Sequence, residues 1–219
     1  MYLSRVEIDL ANRQRTKSLT HLGAYHHLVE ESFSWTKPAD ERPRHLWRLD
    51  QLGERLFMLV LSADKPDLTV LGRYGDPNLA QTKDYDPFLH QLASGAFMRF
   101  RLTANPTRSV AQPGEARGRV YPHVTVTQQA QWLVARADKA GFEIARQPDG
   151  DNLAFDVVSR DHPLLRHRGN KAVRLSRVSF EGILKVTDLT LFKQTLTQGI
   201  GREKAYGMGL LTVIPLVNQ

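Results

Sequence analysis

The sequence predicts an α+β fold of two tandem ferredoxin-like (RRM-like) domains with antiparallel sheets, and three observations predict it. Residues 97–216 read as β-α-β-β-α-β, the order of the split β-α-β unit. Residues 2–71 read as a degenerate β-α-β-β copy of it, and no long linker or low-complexity tract separates the two. The boundary is placed near residues 94–96, giving domains 1–94 and 95–219.

The first unit opens with a strand over 2–9, where apolar and polar residues alternate. A helix is expected over 20–35, because Leu22, His26, Val29 and Phe33 recur at spacings of 4, 3 and 4 and so share one face. Residues 46–49 and 56–62 read as strands, 68–71 as a short third strand, and 87–93 as a helical connection. The second unit begins with a strand at 97–102. A helix over 126–140, built around Trp132 and Leu133, is stopped by Gly141. Strands are expected at 155–158 and 173–184. Asp188 caps a helix over 189–197, and a strand over 208–216 follows a glycine-rich loop.

With 219 residues and 41% hydrophobic content, the chain can build a proper core. It contains no cysteine, so neither a disulfide framework nor a thiolate zinc site is open to it, and a cytoplasmic location is expected. Arg5, Glu7 and Asp9 interrupt the opening residues where a signal peptide needs an apolar run. No stretch approaches 18 uncharged apolar residues, so no membrane association is expected.

The formal net charge is +7. Residues 1–98 hold 12 Lys/Arg against 13 Asp/Glu, whereas residues 99–219 hold 18 against 10. A basic surface confined to one half suits a polyanion, because Lys and Arg displace counterions condensed on phosphates. A solubilising surface is the bland alternative.

Four glycines, Gly199, Gly201, Gly207 and Gly209, fall within eleven residues between a helix and a strand. Clustered glycine marks a tight fold-back or a loop that faces phosphate. The Gly-x4-Gly-Lys-Ser/Thr spacing is absent and the helix–loop–strand order is the reverse of a P-loop, so no nucleotide cofactor is expected. Arg202 and Lys204 in this loop point either to a polynucleotide backbone or to a turn packed on the neighbouring unit.

A second basic segment carries Arg160, Arg166, Arg168, Lys171, Arg174 and Arg177 against the single acid Asp161. Gly169-Asn170 is a hairpin-type dipeptide, so this segment reads as a protruding hairpin able to reach along an RNA groove, or as a solvated loop. Of eight histidines, His21, His26 and His27 lie on the first helix, and only His26 falls on its apolar face. Such a histidine is either a packed core residue or a proton-transfer group. Adjacent histidines diverge on a helix, no His-Glu-x-x-His pattern occurs, and the carboxylates are scattered, so no metal site is expected.

Several segments together resemble one family. They are the opening MYLSRVEIDL, Tyr25-His-His-Leu-Val-Glu-Glu-Ser-Phe33, Leu46-Trp-Arg-Leu-Asp50, Phe100-Arg-Leu-Thr-Ala-Asn-Pro-Thr107, Ser179-Phe-Glu-Gly182 and Gly199-Ile-Gly-Arg-Glu-Lys-Ala-Tyr-Gly-Met-Gly-Leu-Leu211. They resemble the CasE proteins of type I-E CRISPR systems, members of the RAMP superfamily. The resemblance implies a pair of ferredoxin-like domains that cleave precursor CRISPR RNA at the base of each repeat stem-loop. It also implies retention on the product within the Cascade complex, alongside the other Cascade subunits.

The family's catalytic histidine stands on the first helix with apolar residues at +3 and +7, a frame that His26 fits through Val29 and Phe33. His27, followed by Glu30 and Ser34, does not fit it. Some relatives carry tyrosine three residues before the histidine. Here that position is Gly23, and Tyr25, immediately before His26, is the tyrosine expected to share the catalytic role with it. The implied reaction uses the RNA's own 2′-OH, requires no cofactor, and leaves 5′-OH and 2′,3′-cyclic phosphate ends. The alternative is an RNA-binding RAMP scaffold without catalysis.

Overall fold

Two four-position antiparallel sheets with the same strand order organise the chain. The computed structural model describes residues 1–34, 38, 41–114, 118–165 and 172–216. In the first sheet β1 (Tyr2–Ile8), β2 (Leu46–Leu52), β3 (Arg55–Ser62) and β4 (Gln81–Asp84) lie in the order β2-β3-β1-β4. In the second, β13 (Leu211–Pro215), β5 (Phe97–Ala104), β12 (Arg177–Val186) and β8 (Phe142–Ile144) lie in the order β13-β5-β12-β8. Numbered within each sheet, the first order runs second, third, first, fourth, and the second is the same order read from its other end. That is the ferredoxin-like arrangement, twice.

The first unit is held by alternation on β1. Ser4, Val6 and Ile8 turn inward, and Val6 and Ile8 meet Leu22, Tyr25, Leu28 and Val29 of α2 (Leu22–Glu31) in one buried cluster. A one-turn helix, α1 (Arg13–Thr16), precedes α2. The predicted strand at 68–71 is instead a helical turn, α3 (Leu68–Leu71). The carboxylate of Asp67 caps it, accepting from the Thr69 amide at 2.8 Å, and Gly72 ends it. The β-rich composition of Leu-Thr-Val-Leu yields to that cap. The fourth strand is β4, which pairs with β1, and α4 (Asp86–Gln91) then leads into the second unit.

In the second unit, α5 (Val126–Ala137) begins with a capping box between Thr125 and Gln128. The 3-10 turn after it ends at Gly141, left-handed at φ 80°. Asp188 caps α6 (Leu189–Gln198), accepting from the Leu191 amide at 2.9 Å. Trp132, Leu133, Phe142, Phe180, Phe192 and Leu196 form the centre of this core. The long β12 pairs with β8 along its C-terminal part and with β9 (Phe155–Asp161) along its N-terminal part, so two strands share one edge.

Two hairpins project from the second sheet. One joins β6 (Thr107–Val110) to β7 (Arg119–Pro122), and its exposed, arginine-bearing strands carry little apolar alternation. The other pairs β10 (Leu164–Leu165) with β11 (Val173–Arg174). The predicted single strand over 173–184 is thus divided into β11 and β12, with Leu175 and Ser176 buried between them.

The two sheets are bolted together. Leu46 and Leu61 of the first belong to the core cluster of the second. Arg48, 2% exposed, donates to the carbonyls of Arg101 (2.9 Å) and Leu210 (3.0 Å), to Thr212 Oγ1 (2.8 Å) and to both oxygens of Asp50. Asp50 is shared with Arg101, whose Nε lies 3.0 Å away. A buried guanidinium is tolerated only with such complete pairing.

Candidate active site

The loop between α6 and β13 folds back on the first unit and builds a recess against α2. Trp47 Nε1 donates to the carbonyl of Ala205 at 2.9 Å, pinning the loop to β2. Gly207, at φ 77°, lies so close to the Trp47 ring that a Cβ would stand 2.6 Å from it, and Gly201, at φ 87°, abuts the edge of Trp132. Of the two readings of the glycine cluster, the structure shows the packed turn: the loop lies on Trp47 of the neighbouring unit.

The recess has a volume of about 520 Å³ and is lined by His26 and Glu30 from α2, Arg44 and His45 from the approach to β2, and Arg202, Glu203, Lys204 and Tyr206 from the loop. His26 meets Tyr206 edge to face, with ring centroids 5.7 Å apart. The His26 side chain is 34% exposed, against 72% for His27, so the helix buries one imidazole and leaves the other in solvent. Burial lowers the His26 pKa, and His27 lowers it further. Glu30 lies 3.9 Å from its Nδ1, too far for a hydrogen bond, and burial raises the Glu30 pKa.

His45 is stacked on Phe33 with centroids 3.9 Å apart, and burial takes its pKa down to about 4. Lys204 donates to the Gln198 carbonyl at 2.7 Å, which leaves two of its three N–H groups available. Burial and then Arg44 lower its pKa. The Tyr206 phenol is shifted the other way, by burial and by Glu203. A half-buried imidazole thus shares a basic recess with a phenol and a lysine.

Of the residues singled out in the sequence, His26, Arg202 and Lys204 converge here, and Gly199, Gly201, Gly207 and Gly209 form the loop. Tyr25 does not join them. It is buried, stacks on Trp47 at 6.1 Å, and lines a larger cleft of about 600 Å³ between the sheets, together with His21, Arg101, Arg174 and Arg177. Burial raises its pKa, against the pull of Arg177. Two cations of that cleft are already paired, Arg177 with Asp161 and Arg101 with Asp50 and Glu181. Arg160 donates to the Val124 carbonyl at 2.6 Å, and Arg174 stands on β11. Arg166, Arg168, Lys171 and the Gly169-Asn170 dipeptide lie outside the described residues. Tyr206, His45 and Arg44 were not legible as site residues, because only the docking of the loop brings them to α2. Among the described residues no three His, Cys, Asp or Glu side chains gather as a metal would need, and no helix is long and apolar enough to cross a membrane.

A family model described as CRISPR associated protein matches residues 1–215. The chain is 30% identical to the CRISPR-associated endoribonuclease Cse3 of Thermus thermophilus, with 98% of this chain and 100% of that protein covered. It is 26% identical to the CRISPR system Cascade subunit CasE of Escherichia coli K12, covering 99% and 100%. The structure of CRISPR endoribonuclease Cse3 bound to 19 nt RNA is similar at a TM-score of 0.80 and 28% identity, over 98% of this chain and 100% of that one.

Proposed function

This chain belongs to the CRISPR associated protein family, and from that premise we propose that it is an endoribonuclease that cuts precursor CRISPR RNA at the base of the repeat stem-loop. The observation that carries the chemistry is the His26–Tyr206 pair in a basic recess with Lys204 and Arg202. RNA brings its own nucleophile, so the protein has only to align the 2′-OH with the adjacent phosphate, move a proton and stabilise charge on the phosphoryl oxygens.

Burial favours the neutral form of His26, the form that accepts the proton of the 2′-OH. The oxygen then attacks phosphorus, the bond to the 5′-oxygen breaks, and the departing oxygen takes up a proton. The products are a 2′,3′-cyclic phosphate and a 5′-OH. Lys204, Arg202 and the Tyr206 hydroxyl are the donors that face the developing charge. Nothing in these steps calls on a metal ion or a nucleotide cofactor.

The stem is gripped by the basic half of the chain, through Arg160, Arg174 and the segment with Arg166, Arg168 and Lys171. The product stays bound, and the protein joins the other subunits of Cascade, as the name of its Escherichia coli relative describes for that protein. The reaction takes place in the cytoplasm, and the two domains divide at residues 94 and 95.

The test is cleavage of a repeat RNA in excess EDTA, with and without hydrogen in place of the 2′-OH at the scissile nucleotide. Cutting in EDTA that stops with the deoxy substrate, while binding survives, supports the reading. A strict magnesium requirement, or 3′-OH and 5′-phosphate ends, overturns the mechanism. Binding without any cutting leaves a scaffold.

A further inference from the structure

The glycine-rich loop has a second side. Opposite the His26 recess, Gly201 and Arg202 also line a cavity of about 280 Å³ formed with Asn105, Arg108, His123 and Arg136. Resting on the RNA reading above, we propose that this cavity is a second RNA subsite, which seats the sugar–phosphate of a nucleotide neighbouring the scissile bond.

Asn105 stands in the turn between β5 and β6 and is 5% exposed, yet its Oδ1 has no hydrogen-bond partner among the described residues. Buried polar atoms are nearly always paired, so an orphan on a cavity wall marks the place of a ligand. Around it stand three guanidinium groups and no carboxylate. Arg136 is pre-set, its guanidinium 4.3 Å over the Trp132 ring and its Nη1 donating to the Trp132 carbonyl at 3.0 Å. Arg108 is exposed on β6, and Arg202 reaches across from the loop.

One ligand chemistry satisfies both features. A phosphate matches the arginine forks, but it offers no proton to a carbonyl oxygen. A ribose 2′-OH is both donor and acceptor, so it pairs with the Asn105 amide in either orientation of that group. At about 280 Å³ the cavity lies at the small end for a ligand site and suits one repeat of a polymer backbone that enters and leaves. Because Arg202 lines both recesses, a strand crossing the loop lays consecutive nucleotides on its two sides.

The experiment is equilibrium binding of the full chain to repeat RNA with its flanking single-stranded nucleotides, substituted one at a time by 2′-deoxynucleotides. In the wild type, one substitution away from the scissile nucleotide should weaken binding about five-fold, the worth of one ordinary hydrogen bond. In Asn105→Ala, itself about five-fold weaker, the same substitution should have no further effect. Arg108→Ala changes an exposed residue and so tests the site even where Asn105→Ala fails to fold. It should weaken binding several-fold and flatten the slope of log K against log salt by about 0.7–0.9. Additive effects of Asn105→Ala and every deoxy substitution, or an Arg108→Ala variant with wild-type affinity and salt slope, overturn the subsite. So does an Arg108→Ala variant that keeps its RNA affinity and loses only assembly with other Cascade subunits, since the cavity then belongs to a protein. A wild type that neither binds nor cuts repeat RNA refutes the function itself, whereas one that does both without this coupling refutes only the subsite.

Discussion

Arg48 on β2 and Thr212 on β13 share a hydrogen bond of 2.8 Å although 164 residues separate them. The bond ties an inner face of the first sheet to the edge strand of the second, and the same guanidinium holds Asp50. Arg48→Ala should cost about 3–5 kcal/mol in urea-unfolding free energy, the usual penalty for breaking a buried pair from one side. A loss below about 1 kcal/mol would mean that the tie is dispensable.

His26→Ala should abolish cleavage while repeat-RNA affinity stays within a few-fold, because a proton-transfer group acts mainly in the transition state. His27→Ala, whose imidazole is in solvent, should change little. Tyr206→Phe keeps the ring against His26 and removes only the hydroxyl, so single-turnover rate should fall with affinity retained. Wild-type cutting by His26→Ala would sink the assignment.

Arg166/Arg168→Ala should weaken stem-loop binding broadly and lower the salt slope by about one to two, since each lost phosphate contact removes about 0.7–0.9. Titrations at several salt concentrations, with an unstructured RNA of equal length alongside, measure this. Unchanged affinity and slope would make the segment a solvated loop.

Gly207→Ala should destabilise the fold by more than Gly53→Ala. Both glycines have positive φ, at 77° and 61°, which costs an L-residue roughly 1–2 kcal/mol, but only Gly207 would also drive a methyl into Trp47. Thermal melts of the two variants separate backbone strain from collision, and cleavage should fall only in Gly207→Ala. Equal melting losses would show that the loop relaxes away from Trp47.

Acid sensitivity should trace in part to His45. Its native pKa of about 4 lies below the unfolded value near 6.5, so between those values the unfolded chain takes up a proton that the native fold refuses. Its contribution is complete above pH 6.5, drains away as pH falls toward 4, and amounts to roughly 3 kcal/mol. His45→Phe keeps a ring on Phe33 and cannot titrate. Urea melts from pH 7.5 to pH 4 should therefore show a flatter profile in the variant, whereas parallel profiles would place the acid sensitivity elsewhere.

Features of the fold set by neighbours along the chain were legible in the sequence. Asp188 and Gly141 act as the cap and the stop that their chemistry requires, and the spacing of Leu22, His26 and Val29 marked the buried side of α2. Residues 68–71 misled because propensity favoured a strand while one carboxylate, Asp67, settled the matter. The other wall of the recess was hidden for a different reason. Tyr206 reaches His26 only because Trp47 holds Ala205 from 158 residues away, and periodicity carries no such information.

That distance along the chain gives the recess an order of assembly. His26 emerges from the ribosome with α2, but Lys204 and Tyr206 follow only after α6, in the loop whose Ala205 carbonyl Trp47 holds. Domains fold from the N-terminal end as they are synthesised. A nascent chain that has reached only β12 therefore carries the histidine without the loop that faces it, and the recess closes only once α6 and the residues after it have been made.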